Sequence, residues 1–256
     1  MPPEAVPEAD LGEPTTVILV RHGRTEDTDQ RRARGGAQAG PALNAPGRLQ
    51  AARLAQVLGR LLAGTGPDAG GLGPAGEYGD APGWFLARPA AILTSPLLRA
   101  RQTAHALGPV LDLEPRPDAA WAELSLGDWD GLGYAEIAAG WPGEFRQWRH
   151  SPSVAPPGGE SMDDVAKRVS AARDRLIEDY PGQAVVVVSH TAPIRTVIAR
   201  ALDAGPVALW RLRINPTSVS VVRFWADGGC EVAAVNSTVA LSSFPPPLDP
   251  HFPGSI

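Results

Sequence analysis

The segment VILVRHGRTEDT, residues 17–28, joins an apolar run directly to cationic side chains. Val17–Val20 is followed at once by Arg21 and His22, with Arg24 two positions further on. An unpaired charge is costly to bury, so either the chain turns to the surface here or an anion is expected at this point. Because planar guanidinium groups favour phosphate or carboxylate, the chemistry that this segment indicates is the binding of such an anion.

Two further apolar runs end in the same kind of residue. Val185–Val188 is followed by Ser189 and His190, and Ala90–Thr94 leads into SPLLRARQTAHAL, whose first helical turn carries Arg99. A single histidine at a strand end is most often structural, and a single helix arginine is most often solvated. It is the coincidence of three strand ends that favours a functional site.

Short apolar runs that alternate with amphipathic segments predict an α/β fold with helices on both faces of the sheet. We expect a three-layer αβα sandwich whose sheet is mostly parallel. The segment SVSVVRFWADGGCEVAAVN predicts an antiparallel edge hairpin around a DGG turn. Ligands bind at the carboxyl ends of the strands in such sheets, where helix N-termini also direct free N–H groups. Two arginines and two histidines are therefore expected at one edge.

Helices are predicted by the spacing of apolar residues. They cover Gly47–Leu62, 134–139, 143–149, 162–180 and 191–202, whereas residues 26–46 are predicted to form a loop. Ser161 and Asp164 have the spacing of a capping box. Ser95 is a candidate N-cap, with Pro96 at the first helical position, where its missing N–H costs nothing.

The chain is predicted to form one domain over residues 15–243. Residues 1–14 form an expected disordered lead, and the Pro-rich residues 244–256 form a tail that is too rich in proline to fold regularly. Within the domain, residues 63–83 form a Gly-rich insertion, and residues 121–150, which contain four tryptophans, form a helical, cap-like excursion.

Composition excludes several functions. The chain has 256 residues and a net charge of −5, which argues against a general nucleic-acid binder. Its one cysteine, Cys230, cannot form an intramolecular disulfide, and we expect it to pack in a strand. No apolar run approaches the ~18 residues of a membrane span, and the acidic, Pro-rich start lacks the features of a signal peptide. A cytoplasmic protein without membrane contact is expected.

Five segments resemble, in order, those of the histidine phosphatase superfamily, the phosphoglycerate-mutase-like fold. They are VRHGRT, SPLLRARQTA, AELSLGDWDG, PPGGES and VVSHTAPIR, and the resemblance runs from about Thr16 to Asn236. It implies that His22 attacks phosphorus and forms a phosphohistidine, and that Arg21, Arg99 and His190 bind the phosphate. It also implies that no metal ion or cofactor is needed.

The resemblance further implies that Glu123, in the segment ELSLGDWDG, protonates the leaving oxygen. Asp128 and Asp130 are the other local candidates for this acid, but Asp128 is expected to be exposed. Arg195 is interpreted as a structural helix residue in preference to a substrate contact.

Further candidates for substrate contact are Thr25, Thr28, Arg34 and Thr191. Thr28 stands where the family often has asparagine, and its shorter side chain puts that contact in doubt. Thr191 replaces the usual glycine and is also a candidate helix cap. The basic run that ends at Arg34 either faces the pocket or forms a solvated loop.

The phosphatase branch is favoured over the mutase branch. Mutases typically carry an ERxYG-like segment beside their acid, and here the stretch is ELSLGD, without the arginine and the tyrosine. The predicted function is hydrolysis of a small phosphorylated metabolite that the sequence does not name. A phosphoglycerate-type mutase is the alternative, followed by an inactive member that binds a phosphorylated ligand or a partner protein. A homodimer is possible, and the sequence does not decide between a monomer and a dimer.

Overall fold

The fold is built on one mixed sheet, seen in a computed structural model that describes residues 12–36, 39–62 and 88–238. In these residues the sheet has six strands in the order β3-β2-β4-β1-β5-β6. The strands are β1 (Thr15–Arg21), β2 (Ala91–Thr94), β3 (Arg116–Pro117), β4 (Ala184–Ser189), β5 (Val219–Phe224) and β6 (Cys230–Ser237).

Helices follow or connect these strands. They are α1 (Glu26–Asp29), α2 (Ala45–Leu62), α3 (Leu98–Leu111), α4 (Tyr134–Gly140), α5 (Pro142–His150), α6 (Met162–Asp179), α7 (Thr191–Ala201) and α8 (Ala208–Arg211). Two short 3₁₀ helices cover Ala119–Trp121 and Gly127–Trp129. The predicted helices at 134–139 and 143–149 correspond to α4 and α5.

The sheet is parallel except at one edge. β4 pairs in parallel with β1 on one side and with β2 on the other, and β2 pairs in parallel with β3. β5 is antiparallel to β1, and β6 is antiparallel to β5. The prediction of a mostly parallel sheet with an antiparallel edge hairpin is confirmed.

Successive residues of the central strands enter two separate cores, because side chains alternate across a strand. Ile18 and Val20 of β1 pack on one face against residues of α2 and α3, including Leu54 and Leu107. Val17 and Leu19 of β1 pack on the other face of the sheet against residues of α6 and α7. This burial on both faces explains why the strands read as continuous apolar runs, and it confirms the three-layer sandwich.

Aromatic side chains of residues 121–150 form a cluster that belongs to the core on the α6 and α7 side of the sheet. Trp129 is 1% exposed and makes edge contacts with Trp141, Phe145 and Trp148 at ring-centroid distances of 6.5, 5.9 and 5.6 Å. Trp148 also contacts Trp210 of α8 at 4.4 Å. Such contacts add to the burial of the rings themselves, so they hold α4, α5 and α8 together.

Some local predictions were wrong. The helix after β2 begins at Leu98, with Leu97 as its N-cap, so Ser95 is not the cap and Pro96 is not the first helical residue. Cys230 begins β6 but is exposed, because the edge strand has one solvent-facing side. The sequence also missed β3, α1 and α8, which are too short to show periodicity.

The predicted insertion at 63–83, most of the N-terminal lead and the Pro-rich tail lie outside the described residues. Within residues 12–36, 39–62 and 88–238, no helix is both long and apolar enough to cross a membrane. The same part of the chain contains no cluster of three or more metal-ligating His, Cys, Asp or Glu side chains.

The capping box that begins α6 generates a stability prediction. The Ser161 hydroxyl accepts the Asp164 N–H at 3.1 Å, and the Asp164 carboxylate accepts the Ser161 N–H at 3.1 Å. Replacing Ser161 with alanine leaves a helix N–H without its partner and is expected to lower the free energy of unfolding by about 1 kcal/mol. Ser161→Thr keeps the hydroxyl and serves as the control. Urea unfolding curves that coincide for Ser161→Ala and the wild type would contradict the assignment.

Candidate active site

Three neighbouring parallel strands end at the same edge of the sheet. The pairing of β1 with β4 places Arg21 opposite Ser189, and that of β2 with β4 places Thr94 opposite Val188. The His22 N–H then donates to the Ser189 carbonyl at 3.0 Å. The residues that follow these strands are therefore brought together, as the sequence predicted.

His22 is held in one tautomer. Its Nδ1 lies 2.7 Å from the Gly23 carbonyl oxygen, and because a carbonyl can only accept, Nδ1 carries the proton. The lone pair is then on Nε2. His22 is 4% exposed, and its pKa lies well below the ordinary 6.5 because of burial and then of the positive charges of Arg99 and Arg21. The imidazole is thus neutral at pH 7 with Nε2 able to act as a nucleophile.

His190 lies against His22, with ring centroids 4.9 Å apart, and Ser95 controls its tautomer. The Ser95 hydroxyl oxygen accepts the Leu97 N–H at 3.2 Å and lies 2.7 Å from His190 Nε2. The hydroxyl proton has no other acceptor among the described residues, so it points to Nε2. Nδ1 of His190 is therefore the N–H donor, and it is buried without a partner.

Arg21 and Arg99 are anchored on backbone carbonyls. Arg21 Nη1 donates to the Ile214 carbonyl at 2.6 Å, and Arg99 Nη2 donates to the Gly35 carbonyl at 3.3 Å. Burial lowers the pKa of Arg21 to about 10, against the opposing field of Glu123, so both guanidinium groups stay charged at pH 7. Neither is paired with a carboxylate in the described part of the chain.

Three buried donors of this group have no acceptor within the described residues. They are Arg21 Nε, Arg99 Nη1 and His190 Nδ1. A buried donor without an acceptor costs about 1–3 kcal/mol, more when it is charged. The charges of Arg99 and Arg21 act on His22, and the His190 ring lies against it. Unsatisfied donors around a neutral, nucleophilic His22 form a site for an oxyanion, and planar guanidinium groups suit phosphate.

Glu123 lies at the N-terminus of α7 and caps it. Its Oε2 accepts the Thr191 N–H at 3.1 Å, and its Oε1 accepts the Ala192 N–H at 3.1 Å and the Leu124 N–H at 2.9 Å. Helix N-termini favour such negative groups. The hydroxyl of Thr191 is therefore not the helix cap that the sequence suggested, and the carboxylate is placed next to His190, the residue that precedes α7.

Two contacts that position Glu123 were not found from the sequence. Arg168 of α6 donates to the carbonyls of Ala120 at 2.7 Å, Ala122 at 2.8 Å and Glu123 at 3.3 Å, and its Nε pairs with Glu160 at 2.7 Å. Nothing in the sequence distinguishes Arg168 from a solvated helix arginine.

Gly36 makes the second contact. Its N–H donates to the Leu124 carbonyl at 3.1 Å, and a Cβ there would lie 2.2 Å from the Glu123 carbonyl oxygen. A glycine is required for this approach.

Thr25 and Thr28 are occupied with each other. Thr25 is the N-cap of α1 and accepts the Thr28 N–H at 3.2 Å, while the Thr28 hydroxyl accepts the Thr25 N–H at 3.3 Å. Thr25 is also 2% exposed. Their hydroxyl groups build the loop after His22, which agrees with the doubt about a phosphate contact from Thr28.

Arg34 is paired with two carboxylates. Its Nε lies 2.8 Å from Asp27 and its Nη1 3.1 Å from Asp130, and these partners raise its pKa. Asp130 also accepts the Gly35 N–H at 2.7 Å. Arg34 therefore fixes the backbone carbonyls of Arg34 and Gly35, which accept hydrogen bonds from Arg99.

Asp128, the other local candidate for the acid, is exposed, as expected.

The comparison with known proteins agrees with this geometry. A sequence profile described as the histidine phosphatase superfamily (branch 1) matches residues 17–64 and 84–238. The match covers well over half of the 256 residues. The chain belongs to this superfamily, and the resemblance found in its motifs is confirmed.

The relatives include proteins named as phosphatases. The chain is 39% identical over 227 residues to the bifunctional protein Rv2228c of Mycobacterium tuberculosis, covering 89% of this chain and 55% of that protein. The chain thus spans about half the length of this relative. It is 33% identical over 202 residues to a glucosyl-3-phosphoglycerate phosphatase of the same organism, covering 76% and 78%. The vanadate complex of a mycobacterial glucosyl-3-phosphoglycerate phosphatase superposes with a TM-score of 0.71 at 28% identity, over 88% of this chain and all of that one.

The lowered histidine pKa values generate a prediction about stability and pH. Because the pKa values of His22 and His190 lie below 6.5 in the folded protein, the unfolded chain binds more protons below about pH 6.5. The free energy of unfolding is therefore high above that pH and falls as the pH falls. Between pH 7.5 and 5.5, each histidine is expected to contribute a loss of about 1.4 kcal/mol.

Urea unfolding in phosphate-free buffer at the two pH values measures this loss. His22→Gln is expected to remove roughly 1.4 kcal/mol of it, and His105→Gln, which changes an exposed histidine of α3, is the matched control. An unaltered pH dependence in His22→Gln would show that His22 is protonated as readily in the folded chain as in the unfolded one.

Proposed function

We propose that this chain is a phosphomonoester hydrolase that acts on a small phosphorylated metabolite through a phosphohistidine. One observation carries the proposal: the three unsatisfied buried donors of Arg21, Arg99 and His190 lie beside the neutral imidazole of His22. Family membership and the phosphatases among the relatives support it. Those relatives are named for their own substrates.

In the first step, His22 Nε2 attacks phosphorus and the bond from phosphorus to the leaving oxygen breaks. Arg21, Arg99 and His190 donate to the equatorial oxygens, where negative charge accumulates. The proton stays on His22 Nδ1, which donates it to the Gly23 carbonyl oxygen, and this hydrogen bond stabilises the positive charge that the ring gains. Glu123 acts as the general acid and gives a proton to the leaving oxygen.

In the second step, water attacks the phosphohistidine and the bond from nitrogen to phosphorus breaks. The Glu123 carboxylate takes a proton from the water, inorganic phosphate is formed, and His22 returns to its neutral form. Protein cations stabilise the transferring group in this scheme, so no step requires a metal ion.

The mutase alternative differs in the fate of the phosphoryl group. A mutase must keep its phosphohistidine from water until the intermediate binds again, which requires a pocket that grips the whole substrate. Glu123 is followed by Leu124, Ser125 and Leu126, and two of these three side chains are apolar core residues that offer nothing to a phosphoglycerate. The hydrolase is therefore favoured.

Incubation with 3-phosphoglycerate and a panel of phosphate esters tests this choice. We expect inorganic phosphate to appear in step with ester consumed, and His22→Ala to lose this activity by at least about 10⁴-fold, since the covalent step is lost. The exposed His105→Ala is the matched control. Rapid conversion of 3- into 2-phosphoglycerate with little free phosphate would replace the hydrolase with a mutase.

The role of Glu123 is tested through the leaving group. An alkoxide needs a proton to depart, whereas p-nitrophenolate does not, so Glu123→Gln is expected to lower kcat/KM about 100-fold or more on an alkyl phosphate and under about 5-fold on p-nitrophenyl phosphate. Asp128→Asn, in a neighbouring exposed carboxylate, should change neither value. Equal losses on both substrates in Glu123→Gln would assign Glu123 a structural role and leave the acid to another group.

The cytoplasmic location and the homodimer stay predictions, since no observation on the described residues tests them. The same holds for the contacts of Thr25, Thr28, Arg34 and Thr191 with substrate. Their hydrogen bonds support a role in building the loops around Arg99 and Glu123.

A further inference from the structure

Gln50, a half-buried residue in the second turn of α2, contacts the loop that follows His22. Its Oε1 accepts the Arg24 N–H at 3.1 Å. That N–H and the Gly23 carbonyl belong to one trans peptide group, in which they point in opposite directions. The Gly23 carbonyl accepts the proton of His22 Nδ1 at 2.7 Å. A single peptide group therefore joins Gln50 to the ring of the nucleophile.

Two glycines allow α2 to approach this loop. A Cβ on Gly47 would lie 2.0 Å from the Arg24 carbonyl oxygen, and a Cβ on Gly23 would lie 2.6 Å from the Gly47 carbonyl oxygen. Backbone can approach backbone this closely only where no side chain intervenes. Gln50 follows Gly47 by three positions and so lies on the same face of α2. The contact of Gln50 with the Arg24 N–H is thus set by the packing of α2 against the loop.

Other hydrogen bonds already hold this loop in place. The Gly23 N–H donates to the Thr103 hydroxyl at 3.1 Å, and the Asn44 N–H donates to the Arg24 carbonyl at 3.1 Å. Neither bond involves the peptide group that accepts the His22 proton, because they lie on the peptide groups before and after it. Loss of the Gln50 oxygen would therefore change that one group while the loop stays attached.

The two hydrogen bonds in series matter most when the His22 ring is charged. Attack of Nε2 on phosphorus makes the ring positive, and Nδ1 then donates more strongly to the Gly23 carbonyl. A carbonyl that accepts a stronger hydrogen bond makes the N–H of its own peptide group a better donor, so the bond to Gln50 also strengthens. Interactions that are stronger in the transition state than in the ground state are those that accelerate the chemical step.

We propose that Gln50 is a positioning residue for the nucleophile, which orients the His22 ring and stabilises its developing charge through the Gly23–Arg24 peptide group. This inference rests on the proposed hydrolase and adds a residue that acts on the nucleophile from the side away from phosphorus. The attack by His22 is common to all phosphate esters. The contribution of Gln50 is therefore the same for good and poor leaving groups, unlike that of Glu123.

Substitution of Gln50 tests the proposal by kinetics. Gln50→Met removes the oxygen but keeps the length of the side chain and a good helix former. We expect it to lower kcat/KM about 5- to 20-fold, equally on p-nitrophenyl phosphate and on an alkyl phosphate. Gln50→Glu keeps an acceptor oxygen and should retain kcat/KM within about 3-fold of the wild type. Gln56→Met, at an exposed position of α2, is the matched control.

NMR of the resting protein provides a readout that does not depend on turnover. With isotope-labelled histidine nitrogens, the Nδ1 proton of His22 is assigned by its absence from His22→Gln. A proton in a weaker hydrogen bond resonates further upfield. We expect Gln50→Met to move this resonance upfield, whereas Gln50→Glu and Gln56→Met leave it at or downfield of its position in the wild type.

Several results would overturn the proposal. They are an unchanged kcat/KM in Gln50→Met, an equal loss in Gln50→Glu, a loss confined to the alkyl phosphate, and an Nδ1 proton resonance that does not move in Gln50→Met. A chain that cleaves none of the esters contradicts the hydrolase alone. The Nδ1 proton resonance then still decides whether Gln50 acts on His22.

Discussion

The pairing of β4 between β1 and β2 is the constraint on which the site depends. It brings the ends of three strands to one level, with Arg21 opposite Ser189 and Thr94 opposite Val188. A slip of one residue in a strand would move its side chains to the other face of the sheet, and His22 would no longer meet His190. The continuous valines of β4 are buried on both faces, and their packing against two separate cores sets this register.

Five arginines in and around the candidate site fall into two groups according to what they bind. Arg34 and Arg168 pair with carboxylates and hold loops in place. Arg21, Arg99 and Arg195 rest on backbone carbonyls and keep their charge uncompensated by a direct ion pair. A carbonyl orients a guanidinium group without neutralising it, so the net positive field remains for a ligand. Burial, and after it the charge of Arg99, keeps the pKa values of His22 and His190 low, and a neutral imidazole is the form that can attack phosphorus.

The sequence predicted the main elements and the central residues because both have strong local signals. The apolar runs before Arg21 and His190 and the capping box at Ser161 are of this kind. Contacts between distant segments gave no such signal. The hydrogen bond between Ser95 and His190 joins residues 95 positions apart.

The three carbonyls that hold Arg168 belong to a segment more than 40 positions from it. Ser95 was expected to cap α3, but that helix begins at Leu98, and the Ser95 hydroxyl lies beside His190, the residue that follows β4. The N-terminus of α7, for which the sequence suggested Thr191 as the cap, is held by Glu123, which lies 68 positions from Thr191 in sequence.

The tautomer of His22 is the most specific feature of this account, because the Gly23 carbonyl leaves only Nε2 free to attack. The direct measurement is to trap the phosphorylated chain by rapid acid-free quenching and to determine, by NMR of the phosphohistidine, which ring nitrogen carries phosphorus. The account predicts a phosphoryl group on Nε2 of His22, with none in His22→Ala. Phosphorus on Nδ1, or on any residue other than His22, would contradict it.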